Sequence, residues 1–512
     1  MEGASDSGAA SASGGKYLVD FDSRLSAEEQ KIFFQLVSLF RESSKYREVR
    51  GLPQARSLSR LLLEKLPSGK RLSAERASLL ADCAAHSIAG FGCLDFLLAQ
   101  EELEEVSVIG VGEPAFVFHR QLGWLETNCF IASFDYAVEC VNKMARPLGR
   151  RLSYQTPRLN ATLEDGSRLH ATMAPLCRSG VEMSIRKFSR EPVAIPSIVS
   201  SRCLSAEAAA ALWLALYSDL SLVVAGNSGG GKTTLLNALF GFVPLNERVV
   251  AVEETPEIAL PHKHFVRLVC NPELGVSLKH LALDTLRMRP DRLIVGEVRS
   301  SEESQALFDC LLSGQARGTY CTFHAKSGQE ALSRFKSLGA REDELSAIDL
   351  IIVQKRLPFL EKPTESVVVN GATKTGVMDG YALGRTARNS EKRRVTQICF
   401  NDGGKLVDLF KLNFASDSLE QNSKGLHALF EKISPAYSLS PKELVEEMSL
   451  RALAITGFVS SAAGAGDGSS APGSFGEFAR FADSYAFGKK PVVSSVRGKN
   501  FSPPPRPKEF EG

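Results

Sequence analysis

The string GNSGGGKTT, Gly226 to Thr234, constrains this chain more than any other feature, because four of its nine positions are glycine. An apolar run, Ser221 to Ala225, leads into it and the helix-compatible LLNALFGF follows. The order is therefore strand, glycine loop, helix, with the spacing G-x-x-x-x-G-K-[ST] at Gly226, Gly231, Lys232 and Thr233. Glycines reach backbone angles closed to other residues, so successive amide N–H groups can converge on phosphate oxygens while the helix N-terminus adds positive potential. The reading assigns Gly226, Asn227, Ser228, Gly229, Gly230, Gly231, Lys232, Thr233 and Thr234 to a nucleotide's phosphates. Lys232 is expected to reach the β- and γ-phosphates, and the Thr233 hydroxyl to hold Mg²⁺.

Three further apolar runs end in polar residues. RVVAVEE places Glu253 and Glu254 at its end, RLIVGE places Glu297, and GTYCTFHA places His324. Strands alternating with helices after residue 198 imply a parallel sheet, and the C-terminal ends of parallel strands open onto one ligand-binding edge. Lys232, Glu253, Glu297 and His324 are thus expected to converge. Phosphoryl transfer to water needs a metal on the phosphate oxygens, a carboxylate to orient the water and a cation against the developing charge. Glu253 is read as the water-positioning base, Glu297 as an outer ligand of Mg²⁺ through water, and His324 as the sensor of the γ-phosphate. SSEESQALFDCLL after Glu297 reads as a helix opened by a Ser300 to Glu303 capping box.

The fold expected is α/β: a P-loop core with a parallel-type sheet, preceded by an α+β N-terminal domain. Residues 1–15 read as a disordered tail and 16–190 as the N-terminal domain, helical first and then sheet. Within it PRLNATLEDGSRLHATM alternates with period two around Asp165-Gly166, a hairpin signal that puts Arg168 on a polar strand face; VEMSIRKF does the same for Arg186. Residues 191–197 read as a proline-bearing linker, 198–455 as the ATPase domain with a C-terminal subdomain, and 456–512 as a low-complexity flexible tail. Of the 512 residues 44% are apolar and 23% charged, so the chain is globular rather than fibrous or wholly disordered. A net charge of +2 argues against a strongly nucleic-acid-binding surface, and the one basic run is Lys392-Arg393-Arg394. The ten cysteines form no C-x-x-C pair and read as reduced thiols of a cytoplasmic protein. The N-terminus lacks the pattern of a secretory signal, and the longest apolar stretch, Ala208 to Tyr217, falls short of the ~20 residues that span a bilayer.

In order along the chain, FGCLDFLL, LEEVSVIG, LEDGSRLHA, EMSIRKF, GNSGGGKTT, ERVVAVEETPEI, LRMRPDRLIVGEVR and TFHA resemble the secretion-superfamily hexameric ATPases of type II and type IV secretion, type IV pili and archaeal pili or archaella. The resemblance covers roughly residues 85 to 400 and points to the archaeal-like branch, since no four-cysteine zinc module is present. It implies a RecA-like core, ATP with Mg²⁺, and hydrolysis coupled to mechanical work in a homo-hexameric ring. Catalytic residues carried over by position are Glu253, Glu297, His324, Arg168 and Arg186, the two arginines approaching the phosphates from the N-terminal domain. The resemblance further implies a cytoplasmic protein held at the inner face of the membrane by an integral platform protein, acting indirectly on pilin-like or secreted substrates, with no direct nucleic acid. Gln315 stands where many relatives carry the first histidine of the histidine box, and Glu254 where an aspartate is common. A DNA-translocating conjugation-type motor and an ATP-binding ring scaffold with negligible hydrolysis are the alternatives.

Overall fold

Alternating and continuous apolar patterns separate the chain into two units, and each builds its own sheet. The computed structural model describes residues 11–13, 16–18, 25–42, 49, 51–120, 122–188, 192–271, 274–359, 390–464 and 474–486. The first unit comprises residues 1–189 with 359–391, and the second residues 190–358 with 392–512.

In the first unit, β1 (Ser11–Ser13) and β2 (Lys16–Leu18) precede four helices, α1 (Ala27–Glu42), α2 (Leu52–Lys65), α3 (Ala74–Ala89) and α4 (Cys93–Ala99). Then come β3 (Leu103–Val108), β4 (Pro114–His119), β5 (Gly123–Phe130), α5 (Phe134–Ala145), β6 (Arg158–Thr162), β7 (Arg168–Met173) and β8 (Val181–Arg186). The described strands form one sheet in the order β1-β2-β5-β4-β3-β8-β7-β6. The hairpin β6–β7 turns at Asp165-Gly166, where Gly166 takes φ +87°, a conformation that favours glycine. Leu169, Ala171, Met173, Val181, Met183 and Ile185 are buried with Leu80 and Leu94 of the helices. The opposite face carries Arg168 and Arg186, directly across from each other on β7 and β8. Ser11–Ser13, inside the stretch expected to be a disordered tail, instead pairs antiparallel with Lys16–Leu18.

The second unit opens with α6 (Ile195–Ser200), which falls partly on the expected linker. Its Ile195, Pro196 and Ile198 are buried, and proline at the second helical position needs no N–H partner there, so burial overrides the proline signal. Next come α7 (Ala206–Tyr217), β9 (Leu222–Gly226), α8 (Lys232–Leu239), β10 (Val249–Glu253), β11 (Phe265–Val269), α9 (Leu278–Thr285), β12 (Arg292–Val298), α10 (Ser301–Leu312) and β13 (Gly318–Phe323). The unit continues through α11 (Gly328–Ser337), α12 (Glu342–Leu345), β14 (Leu350–Phe359), β15 (Ser390–Asp402), β16 (Lys405–Asn413) and β17 (Ser418–Gln421). It closes with α13 (Ser423–Tyr437), α14 (Pro441–Gly464) and α15 (Phe475–Ala486). The sheet order is β11-β10-β12-β13-β9-β14-β15-β16-β17. From β11 to β14 every pairing is parallel, and β15 to β17 form an antiparallel meander. Both sheet faces are covered: one core gathers Val224, Ile294 and Tyr320 with α7, α8 and α13 to α15, and the other gathers Val223, Val295 and Cys321 with α9 to α11. Residues 208–216 of α7 are buried all round, as a helix without a polar face must be.

The tail expected from residue 456 onward is corrected over α14 and α15. Phe478 is 0% exposed and packs edge-on to Phe242 and Phe458, with Phe475, Ala479 and Ala482 buried beside it. Spacing of three and four residues gives this helix one apolar face that the surrounding Gly/Ser composition disguises. Among the described residues, no single helix is long and apolar enough to cross a membrane.

Candidate nucleotide site

β9 is the central parallel strand, flanked by β13 and β14, and the chain leaves it toward β10 on one side before returning on the other. Such a switch point opens a crevice beyond the carboxyl end of the strand, and the glycine loop fills it. The loop's glycines are required by space. A Cβ on Gly226 would lie 2.0 Å from the Gln354 carbonyl oxygen, and one on Gly230 2.9 Å from Asn227 Oδ1. Gly229 and Gly231 take φ +69° and +89°, in the left-handed region. Asn227 ties the loop to the end of β14, accepting from the Arg356 N–H at 3.2 Å. Lys232 is buried at the first position of α8; Thr233 is half-buried and Ser228 and Thr234 exposed.

The Lys232 ammonium lies 3.4 Å from Glu297 Oε1 and 3.4 Å from the Asn227 carbonyl. His324 Nε2 is 2.6 Å from the same Glu297 oxygen. A β-bulge aims this carboxylate. Val295 pairs with Cys321, but Glu297 pairs with Thr322, so Gly296 is an extra residue on β12. In an unbulged strand Glu297 would share the face of Val295, against α9 to α11; the bulge turns it to the α8 face, where Lys232 lies. Arg299, two residues on, donates from Nε to Glu297 at 3.1 Å and from Nη1 to Glu254 at 2.7 Å. Sequence reasoning left Arg299 without a role, although the period of two in G-E-V-R puts Glu297 and Arg299 on one face.

Charge states follow from this packing. Burial works against an ionised Glu297, yet the Arg299 guanidinium and the Lys232 ammonium hold its carboxyl below the usual range. Burial pushes the Lys232 pKa down, with Glu297 opposing. Burial and the Lys232 charge also lower the His324 pKa, so the ring is neutral near pH 7 and donates from Nε2 to Glu297.

Glu253 does not join the Lys232, Glu297 and His324 cluster. It stands on the α8 face of β10, 3% exposed, and its Oε1 accepts from the N–H groups of Glu257 (2.6 Å) and Ile258 (2.8 Å). Arg267 of β11 approaches Oε2 at 3.2 Å. Burial outweighs these contacts and raises its pKa to about 7. Arg168 and Arg186 belong to the first unit, and Gln315 is in the exposed turn before β13. The capping box at the start of α10 is formed: Glu303 N–H donates to Ser300 Oγ at 3.3 Å and Ser300 N–H to Glu303 Oε2 at 3.0 Å.

Among the described residues no group of three or more His, Cys, Asp or Glu side chains is placed to hold a metal ion unaided. One hydroxyl and one carboxylate beside a phosphate cradle do fit Mg²⁺, which keeps waters and substrate phosphates as its other ligands.

A parallel sheet with helices on both faces, and a glycine loop joined to a lysine-led helix at its switch point, define an α/β protein with a RecA-like P-loop core. The chain belongs to the type II/IV secretion system protein family, whose model matches residues 145–422. An uncharacterized protein of Methanocaldococcus jannaschii is 38% identical over 231 residues, covering 43% of this chain and 32% of that relative. The type IV secretion system protein PtlH of Bordetella pertussis is 26% identical over 328 residues, 59% of this chain and 91% of PtlH. Among solved structures, the Legionella pneumophila ATPase DotB is similar with a TM-score of 0.41 and 15% identity, over 70% of this chain and 87% of that one. The chain spans less than half the length of the first two Methanocaldococcus jannaschii relatives it matches.

Proposed function

We propose that the chain binds and hydrolyses ATP with Mg²⁺, and that six copies form a ring that powers type II/IV-like secretion or pilus-type assembly. The observation that carries the proposal is the meeting of Lys232, Glu297 and His324 beside a loop whose glycines are required by close backbone approach at Gly226 and Gly230 and by positive φ at Gly229 and Gly231. Family membership and the likeness to PtlH, a type IV secretion system protein, support the secretion part.

In this reading the loop amides from Gly229 to Thr233 take the phosphate oxygens and Lys232 bridges the β- and γ-phosphates. Thr233 would hold Mg²⁺ directly and Glu297 through water; the metal neutralises charge on the phosphate oxygens. Glu297 exchanges its bond with Lys232 for the nucleotide's surroundings while Arg299 keeps it ionised. Glu253, with a pKa at working pH, takes the proton of the attacking water. His324, neutral and bonded to Glu297, reports the γ-phosphate to β13. Residues 198–455 are the proposed engine and 16–190 the moving lever, with Arg168 and Arg186 required for turnover. Docking on a membrane platform protein places the ring at the cytoplasmic face.

The test is phosphate release from the purified chain with MgATP, alongside its mass by light scattering with a non-hydrolysable analogue. Steady release, abolished by Lys232→Ala, and a sixfold mass are expected. Rings without release would overturn the motor, and no nucleotide binding at all would overturn the site.

A further inference from the structure

Asn237 is a polar residue on a stretch of α8 whose neighbours Leu235, Leu236, Ala238 and Leu239 are all buried and apolar, and it is itself only 7% exposed. Burying a carboxamide costs free energy unless both of its ends are bonded, and asparagine is a poorer helix former than the leucines and alanine beside it. The partner is the segment after β10. Asn237 Nδ2 donates to the Glu257 carbonyl at 3.0 Å, and Oδ1 accepts from the Ala259 N–H at 3.3 Å. Donor and acceptor thus reach residues two apart, the pattern by which one residue of a parallel strand binds the next strand. Residues 254–264, between β10 and β11, form neither helix nor strand, so this side chain supplies bonds that a ladder would otherwise give.

Ile258, between the two bonded residues, is buried in the core. Its N–H and that of Glu257 donate to Glu253 Oε1, and its carbonyl accepts from Arg267 Nη2. The short turn 257–259 is therefore bonded by Glu253 and Arg267 from the sheet and by Asn237 from α8. That helix begins at Lys232, so the element that presents the lysine also holds the backbone that orients Glu253. The path runs from Lys232 along one continuous helix to Asn237, then through the turn to the carboxyl.

We propose that Asn237 is a positioning residue for Glu253, fixing where the carboxyl stands relative to the phosphates held at the start of α8. This rests on Glu253 being the base proposed above. Asn237 acts only through the backbone of residues 257–259. Its removal leaves the glycine loop and Lys232 in place but frees the turn whose two N–H groups aim the carboxyl.

The experiment measures steady-state hydrolysis and the binding of a fluorescent MgATP analogue, each below the variant's melting midpoint. It compares the full-length chain with Asn237→Ala, Asn237→Asp, Glu253→Gln and the double variant Asn237→Ala with Glu253→Gln. Asn237→Ala is expected to lower kcat by about tenfold while affinity and KM stay within about twofold, because misplacing the base affects the chemical step and not the phosphate cradle. Asn237→Asp keeps the side-chain length and loses the donor toward Glu257, so kcat falls in the same sense. Once Glu253→Gln has removed the base, adding Asn237→Ala should lower kcat by less than about a further twofold. Wild-type kcat in both Asn237 variants overturns the inference, even with a lowered midpoint, since the side chain would then serve the fold alone. Losses that multiply in the double variant, or equal losses of affinity and turnover, overturn it too while leaving Glu253 as the base. Glu253→Gln turning over at the wild-type rate overturns the base itself, and the role of Asn237 with it.

Discussion

Glu253 is pulled in opposite directions by its surroundings: burial favours the neutral acid, while two backbone N–H groups and Arg267 favour the carboxylate. Burial prevails, and the folded pKa of about 7 stands above the ordinary 4.5. The folded chain therefore holds this proton over a pH window in which the unfolded chain has released it. Stability must fall as pH rises from 4.5 to 7, by up to about 3 kcal/mol. Glu253→Gln has no proton to release, so its denaturant midpoint should decline less across that window. Both proteins measured from pH 4.5 to 8 give the comparison; parallel curves would show that Glu253 is ionised in the fold like any surface acid. With Glu253 as the proposed base, the same pKa would set the rate. Wild-type hydrolysis should climb between pH 6 and 8 as the base ionises, and Glu253→Gln should bind ATP while hydrolysing it at least about 10²-fold more slowly.

At the level of the element, the bulge on β12 decides whether Glu297 meets Lys232. A Cβ on Gly296 would stand 3.0 Å from the Val252 carbonyl and 3.4 Å from the Glu253 Cα, so Gly296→Ala requires that backbone to give by a few tenths of an ångström. The resulting displacement of Glu297 is expected to lower kcat by about tenfold, with binding largely kept. An unchanged kcat would mean the bulge does not aim the carboxylate. Helix α15 gives the matching prediction for stability. Phe478→Ala removes a fully buried ring from contact with Phe242, Phe458 and Phe481 and should cost about 3 to 5 kcal/mol, read as a lower melting midpoint. The glycine loop and the β6–β7 hairpin were legible in the sequence because each depends on local spacing; that Glu253 would stand apart from Lys232, Glu297 and His324 was not. The bulge was not, since an extra residue shows only against the register of a neighbouring strand. The pairing of Glu253 with Arg267 was hidden for the same reason, as it depends on the register of two neighbouring parallel strands. The apolar spacing of Phe475, Phe478, Ala479 and Ala482 could have been read, but composition averaged over a Gly/Ser-rich tail concealed it.

At the scale of the whole molecule, the proposed hydrolysis in the second unit raises the question of what the first contributes to it. On the first unit's sheet, Arg168 and Arg186 stand in register on β7 and β8, with Glu105 opposite Arg186 on the far side. Like charges facing each other across a strand pair destabilise a sheet by a few tenths of a kcal/mol or more unless an opposite charge stands beside them, as Glu105 does beside Arg186. Arg168→Ala separates the two roles. If the arginine served the sheet, the variant would melt lower and lose nucleotide binding and turnover together. If it serves the phosphates, the nucleotide-free midpoint stays level or rises, MgATP affinity stays near wild type, and kcat falls by more than about tenfold, since an arginine supplied to phosphoryl transfer acts mainly on the transition state. The second outcome is expected, and single-stranded DNA should leave the wild-type rate unchanged, because a chain of net charge +2 offers little to draw a polyanion to it.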